Sequence, residues 1–91
     1  MKKFKTLQEM FQDGNRWVKG KIRKVDYHNI SIAWCLEGAV QEVYTDNKII
    51  QIKDKIKEYL VTKGFVGIVS FNDDDRTTIE DIRTCAKALN I

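Results

Sequence analysis

The chain has 91 residues, of which 43% are hydrophobic and 32% charged, and it carries a net charge of +3 at pH 7. This length suits one domain, and the composition is too apolar for an intrinsically disordered protein. No segment approaches the ~18 consecutive apolar residues of a membrane span, and the basic start at Met1–Lys5 lacks the apolar stretch of a signal peptide. We therefore expect one cytoplasmic domain over residues 1–91, with Cys35 and Cys85 as buried, reduced thiols.

The charge is unevenly distributed along the chain. Residues 1–25 carry eight basic and two acidic side chains, a net charge of +6. Residues 26–91 carry eight basic and eleven acidic side chains, a net charge of −3. Such an asymmetry can guide a charged partner towards the protein or make the molecule complementary to a second copy.

Hydrophobic periodicity in the first half of the chain predicts a helix, a hairpin and a second helix. Apolar side chains at helical spacing place the first helix over about residues 3–12. Alternation predicts a strand over 17–25, and a turn at 26–29 leads to a short second strand over 30–32. The period becomes helical again over about 33–44. The basic side chains that share one face of the first strand are Lys19, Lys21 and Arg23.

The second half of the chain predicts two helices and one more strand. The clearest helix follows a break at 45–47 and ends at Gly64, with an apolar stripe opposite its charges. Residues 65–71 are apolar on both faces except at Ser70, which is typical of a short strand covered on both sides. The last helix runs over about 78–89. Pairing of the strand at 65–71 with the hairpin predicts an α+β fold, a small two- to three-stranded sheet packed against about four helices.

The turn over residues 71–80 is a candidate binding site, because ligands of α/β proteins often lie just past the carboxyl end of a strand. Its candidate binding residues are Asn72, Asp73 and Arg76. A structural role is the alternative. Asn72 and Asp73 would then close the turn, Arg76 would neutralise the neighbouring carboxylates, and residues 77–80 would form a Thr-x-x-Glu capping box.

The acidic residues of this turn do not fit a calcium loop. An EF-hand loop that starts at Asp73 requires glycine at its sixth position and glutamate at its twelfth. The chain has Thr78 and Thr84 at those positions. We therefore expect no metal and no cofactor at the turn.

Three motifs carry a family resemblance over most of the chain from Trp17 onward. They are Trp17-Val18-Lys19-Gly20, Cys35-Leu36-Glu37-Gly38-Ala39, and Phe71-Asn72-Asp73 followed by Arg76-Thr77-Thr78-Ile79-Glu80. In this order they resemble the motifs of a family of small uncharacterised bacterial and phage domains. The chain has Asp74-Asp75 where that family usually has Pro-Gly. The resemblance implies a shared fold and no particular activity.

Cys35 is the candidate nucleophile, because the start of a helix stabilises a thiolate. Thiol catalysis also needs a base, and the only histidine is His28, in the predicted turn of the hairpin. A small thiol- or metal-dependent hydrolase centred on Cys35 therefore depends on whether Cys35, His28 and the turn at 72–76 share one pocket. The alternative is a buried Cys35 beside Gly38, whose lack of a side chain allows another element to approach closely. Cys35, Cys85 and His28 lack the paired spacing of a zinc site.

The basic strand is the strongest candidate binding feature. Lys19, Lys21 and Arg23 are placed to contact phosphates, with Arg16 and Lys24 nearby. One of the flanking aromatic residues Trp17, Tyr27 and His28 would stack on a base, so the basic strand over 16–24 predicts a nucleic-acid-associated protein. A solvated strand whose cations prevent edge-to-edge pairing is the structural alternative. The missing catalytic set and the charge asymmetry favour a third interpretation. They indicate a non-enzymatic protein-binding or regulatory module, without a cofactor or a membrane partner, that binds another protein or a second copy of itself.

Overall fold

The computed structural model describes residues 4–91. They form the predicted α+β fold, in which the sheet is a two-stranded antiparallel hairpin. Among these residues no helix is long and apolar enough to cross a bilayer. The elements in chain order are α1 (Leu7–Met10), a 3₁₀ turn (Gly14–Arg16), β1 (Arg23–Val25), β2 (Ser31–Trp34), α2 (Leu36–Val43), α3 (Asp46–Thr62), α4 (Ile68–Asp73) and α5 (Ile79–Leu89).

One hydrophobic core joins the five α-helices of residues 4–91. Helix α1 packs against α2 and α5, and α3 packs against α2, α4 and α5. The strand β2 reaches this core only through its end, where Ala33 and Trp34 are buried. The largest fully buried apolar side chains are Leu7, Met10, Phe11, Leu36, Val40, Ile56, Leu60, Ile82 and Cys85.

The two longest helices are confirmed, because their apolar residues follow a helical period without interruption. In α3 the buried side chains are Ile52, Ile56 and Leu60, spaced four residues apart. Helix α5 begins one residue later than its predicted capping box. Thr78 is the N-cap and shares reciprocal hydrogen bonds with Asp81.

Helix α1 is shorter than the predicted helix over 3–12, whose first residue lies outside the described residues. The helix begins after Thr6, whose side chain accepts the Glu9 N–H at 3.1 Å. The Leu7 N–H donates to the carbonyl of Ile91 at 2.6 Å, so the start of α1 is attached to the last residue. The chain leaves the helix at Phe11 and enters the 3₁₀ turn.

The strand predicted over 65–71 is wrong, because this segment contains helix α4. The helix buries Ile68, Phe71 and Asn72, which lie three and four residues apart on one helical face. A short run that is apolar on both faces fits a buried strand and a buried helix equally well, so periodicity alone misassigns it. The hairpin therefore has no third strand from this segment.

The strand predicted over 17–25 is also wrong over most of its length. Only Arg23–Val25 forms β1, because Gly20 has a φ of +78° that interrupts extended backbone. Residues 17–20 and Ile22 instead form hydrogen bonds with side chains and backbone elsewhere in the fold, and Trp17 forms an isolated parallel bridge with Trp34. The second strand is longer than predicted. It occupies Ser31–Trp34 and delays the start of α2 to Leu36.

Candidate functional site

Asn72, at the end of α4, connects three segments of the chain. Its side chain is 1% exposed. The Oδ1 atom accepts the Trp17 Nε1–H at 2.6 Å and the Leu36 N–H at 2.9 Å. The Nδ2 group donates to the Val18 carbonyl at 3.0 Å and to Oδ1 of Asp73 at 2.9 Å. Because a carboxamide offers two donors and accepts two hydrogen bonds readily, this side chain is fully engaged inside the protein.

The next two residues attach the segment 17–20 to the same place. Oδ1 of Asp73 accepts the Gly20 N–H at 2.9 Å, and this bond is the main reason why the pKa of Asp73 is lowered. Lys19 Nζ donates to the Asp74 carbonyl at 2.6 Å. We call this arrangement the Asn72 joint. It comprises residues 17–20, Asn72, Asp73 and Leu36 at the start of α2.

A close backbone contact extends the Asn72 joint to the base of the hairpin. The Ile22 carbonyl accepts the Cys35 N–H at 3.0 Å. A Cβ atom built on Gly38 would lie 2.2 Å from the same Ile22 oxygen, so only glycine fits there without movement of the backbone. The close approach predicted at Gly38 is confirmed.

Cys35 and the start of the 72–76 turn share a hollow of about 200 Å³ beside the Asn72 joint. His28 is not among the residues that line it, and instead lies at the hairpin tip, with its ring 4.0 Å from that of Tyr27. Cys35 is the N-cap of α2, where its Sγ accepts the Gly38 N–H at 3.3 Å. Burial raises the pKa of the Cys35 thiol and outweighs the lowering by backbone N–H groups. The thiol is therefore a poor nucleophile near neutral pH.

No cluster of metal-ligating side chains occurs in the part of the chain that the structure describes. Within residues 4–91 no three His, Cys, Asp or Glu side chains are grouped so that they could hold an ion. Cys35 and Cys85 are both buried and free. Burial raises the pKa of Cys85 to about 11, which is typical of a core thiol.

Arg76 lies outside the Asn72 joint, on the exposed side of the turn. Its Nε and Nη2 donate to the two carboxylate oxygens of Asp74, each at 3.1 Å. These hydrogen bonds are the main reason why the pKa of Asp74 is lowered to about 2. Arg76 borders a second, wider hollow of about 440 Å³ between α3, α5 and the Phe65–Phe71 aromatic pair. Of the predicted basic strand residues, Lys19 also contacts Asp74, through the Asp74 carbonyl, whereas Lys21 and Arg23 lie on the hairpin.

The segment that contains β1, its turn and most of β2 is the most exposed feature of the described chain. We call residues 21–32 the hairpin arm. Within it only Asp26 and Ser31 are half-buried, and every other side chain is exposed. The exposed fractions of its large apolar side chains are 44% for Ile22, 40% for Val25, 93% for Tyr27, 60% for Ile30 and 42% for Ile32.

The turn of the hairpin arm is well ordered by its own residues. Oδ1 of Asp26 accepts the His28 N–H at 2.8 Å and the Ile30 N–H at 3.0 Å. Asn29 has a φ of +63°, a left-handed conformation that asparagine tolerates better than most residues. The tip is therefore held in shape while Tyr27 projects into solvent.

The structure divides the predicted site residues into three groups. Trp17, Lys19, Asn72 and Asp73 meet in the Asn72 joint, Lys21 and Arg23 lie on the hairpin arm, and Arg76 lies on the exposed side of Asp74 beside the joint. The basic row predicted for one strand face does not form, because Lys19 turns towards the end of α4.

The exposed apolar side chains of the hairpin arm were not identified from the sequence as a binding surface. The sequence shows how many apolar residues lie within these twelve positions, but it does not show that their side chains are exposed. They are Ile22, Val25, Tyr27, Ile30 and Ile32.

Comparisons with protein-family models, with curated proteins and with solved structures found no match to this chain. The resemblance to small bacterial and phage domains therefore stays a prediction. What the candidate site does has to be inferred from its geometry.

Proposed function

We propose that the protein is a non-enzymatic binding module that contacts a partner protein through the hairpin arm. The observation that carries this proposal is the exposure of five large apolar side chains on one twelve-residue hairpin. Several exposed large apolar side chains on one short segment are characteristic of protein-binding sites, whereas single exposed apolar residues are ordinary. The Asn72 joint supports the proposal, because it fixes the base of the arm to the core.

The properties of Cys35 support a non-catalytic role. Its thiol is buried and has a raised pKa. The residues that line its hollow include no histidine to act as a base, and His28 lies at the tip of the hairpin arm. The side chain of Asn72 is fully hydrogen-bonded within the fold, and Oδ1 of Asp73 accepts two N–H groups, so both residues beside the hollow have a structural role.

Nucleic acid is the second candidate, and the hairpin tip favours it. Tyr27 is 93% exposed for stacking on a base, and three exposed cations lie nearby, at Lys21, Arg23 and Lys24. Trp17 is less suited to stacking because its ring is half-buried and its Nε1–H is bound to Asn72. The apolar side chains of the arm favour protein, since nucleic-acid interfaces are more polar. A mobility shift with single-stranded oligonucleotides at about 50 mM salt that disappears at higher salt would favour nucleic acid instead.

The test is partner retention by matched surface variants. The arm variant carries Val25→Ser and Ile30→Ser, and the control variant carries Ile50→Ser and Val61→Ser on the exposed face of α3. Both controls are 70% exposed, so the two variants remove the same side-chain types from solvent-exposed positions. Proteins retained by the tagged wild type from its native cells are identified by quantitative mass spectrometry.

We expect the control to retain a discrete partner that the arm variant loses. Equal retention by both variants would contradict the proposed function. A circular dichroism spectrum and a melting curve for each variant establish that the comparison is made between folded proteins.

A further inference from the structure

The outer edge of β1 is open along the hairpin arm. Within the described residues β1 pairs only with β2, and all three of its residues are exposed. On the β2 side, the Ile22 carbonyl accepts the Cys35 N–H, and Lys24 lies opposite Ala33. Backbone groups of successive residues in an antiparallel strand point to alternate sides. The N–H and C=O of Arg23, between Ile22 and Lys24, therefore point away from β2 and can pair with an added strand.

The charge of this edge selects an acidic partner. Lys21, Arg23 and Lys24 are exposed, and Asp26 is the one acidic residue of the hairpin arm. The carboxylate of Asp26 is engaged in the turn, where it accepts two backbone N–H groups. The three cations consequently face solvent without a neighbouring carboxylate from the arm itself.

The same cations disfavour pairing with a second copy of β1. An antiparallel pair formed about Arg23 would place the two Arg23 side chains directly opposite each other. Like charges at opposed positions destabilise a strand pair. Of the carboxylates in the 72–76 turn, Asp73 accepts the Gly20 N–H and Asp74 pairs with Arg76, so a second copy would offer Asp75 as the exposed carboxylate of this turn against three cations.

A site for one apolar side chain adjoins the edge. The hollow of about 200 Å³ at the base of the hairpin arm is lined by Gly20, Lys21, Ile22, Cys35, Val69, Asn72 and Asp73, and Ile22, Cys35 and Val69 supply its apolar wall. An apolar cavity of about 150 Å³ in another protein holds one benzene molecule. This hollow is therefore large enough for a leucine or phenylalanine side chain.

We propose that β1 binds an extended, acidic segment of a partner protein by strand addition. Main-chain hydrogen bonds form to Arg23, carboxylates on one face of the segment lie beside Lys21 and Arg23, and one apolar side chain from its other face enters the hollow. Strand addition draws affinity from the main chain and specificity from side-chain pockets and charge. This inference rests on the proposed function of the hairpin arm and adds the chemistry of the partner.

The test uses the full chain and three synthetic eight-residue peptides. The first alternates glutamate with valine and ends in leucine, the second has lysine in place of each glutamate, and the third is the first with alternate amides N-methylated. Binding is measured by fluorescence anisotropy at about 50 mM salt, where exposed charges are weakly screened. The Arg23 amide is followed in ¹⁵N-resolved NMR spectra.

Two variants of the protein are compared. The β1 variant carries Arg23→Glu and Lys24→Glu. The control variant carries Lys55→Glu and Lys57→Glu on α3, which change the net charge by the same amount at exposed positions.

We expect the acidic peptide to bind about tenfold more tightly than the lysine peptide, the effect of a few exposed ion pairs. We also expect N-methylation to abolish binding, the Arg23 amide signal to shift, and the charge-reversed β1 variant alone to lose the acidic peptide. The inference is overturned if the acidic peptide fails to bind, if the lysine or N-methylated peptide binds equally well, or if the α3 control loses binding to the same extent.

Failure of the inference is distinguishable from failure of the proposed function. If the Val25→Ser and Ile30→Ser variant loses its partner while the peptides fail these criteria, the arm binds protein by contacts other than strand addition. If that variant keeps every partner, the function itself is wrong, whatever the peptides do.

Discussion

The Asn72 joint and the hairpin arm are neighbours along the chain, but they differ in how their chemical groups are satisfied. In the joint, the polar atoms of the Asn72 side chain are buried and paired, and within the described residues no buried side-chain nitrogen or oxygen lacks a partner. In the arm, apolar side chains are exposed and three cations face solvent. The difference indicates that the joint is part of the fold, whereas the arm is completed by another molecule. Substitutions in the joint should therefore change stability, and substitutions in the arm should change binding.

The largest effect on stability is expected for Asn72→Ala. The substitution leaves the Trp17 Nε1–H, the Leu36 N–H and the Val18 carbonyl without their partner. Each unsatisfied buried group costs roughly 1–3 kcal/mol, so the free energy of unfolding should fall by about 4 kcal/mol. Urea unfolding measures the loss. Asn47→Ala, at an exposed position in α3, is the control and should change stability by less than about 0.5 kcal/mol. Similar losses for the two variants would remove the distinction between joint and surface.

Gly38→Ala should have the second-largest effect. The added Cβ would lie 2.2 Å from the Ile22 carbonyl oxygen, so the base of the hairpin arm must move away from α2. Overpacking of this kind costs about 2 kcal/mol. Gly14→Ala is the matched control, because its Cβ would meet Ile79 at an ordinary 3.5 Å. Unchanged urea unfolding for Gly38→Ala would contradict the close contact.

Acid should weaken the fold through the turn that ends the joint. The pKa of Asp74 is lowered from 3.8 to about 2, chiefly by its hydrogen bond with Arg76. A carboxyl group whose folded pKa lies below its unfolded value stabilises the fold above the unfolded pKa, and this contribution is lost as the pH falls through the folded pKa. Asp74 therefore contributes to a decline in stability between about pH 4 and pH 2.

Arg76→Ala should make that decline shallower, because the folded pKa of Asp74 returns towards 3.8. Urea unfolding at several pH values measures the slope, and an NMR titration of the Asp74 carboxyl gives its pKa directly. Lys57→Ala, on the exposed face of α3, controls for the loss of one positive charge. An Asp74 pKa that stays near 2 in the Arg76 variant would show that another group lowers it.

The smallest effect on stability is expected for the arm variant with Val25→Ser and Ile30→Ser. Because both side chains are largely exposed, the free energy of unfolding should change by less than about 1 kcal/mol in total. Melting curves check this expectation. A large loss of stability would mean that these side chains are part of the core, and the arm would no longer differ from the joint.

The contrast between the two regions also explains how much could be predicted from sequence. Helices α3 and α5 were predicted because their local apolar period agrees with their burial. The packing role of Gly38 was predicted from its position after Cys35. Helix α4 was missed, since six residues of mixed apolar character do not distinguish a helix from a strand.

The sequence could not predict which candidate residues belong to the Asn72 joint and which lie on the hairpin arm, because this depends on contacts between residues distant in sequence. Trp17 and Asn72 are 55 residues apart, and no local pattern indicates their hydrogen bond. The same contact removes Trp17 from the candidate binding surface. The arm is also exposed because no third strand pairs with it. The segment over 65–71 was predicted to be that strand, but it contains helix α4.

The central claim is that the protein binds its partner through the hairpin arm, and site-specific photo-cross-linking in the native cells tests it most directly. A photoreactive amino acid replaces Tyr27 at the tip of the arm, or Val61 on α3, which is 70% exposed. We predict a discrete protein adduct from position 27 that position 61 does not give. Adducts of equal yield from both positions, or an adduct from position 61 alone, would contradict the claim.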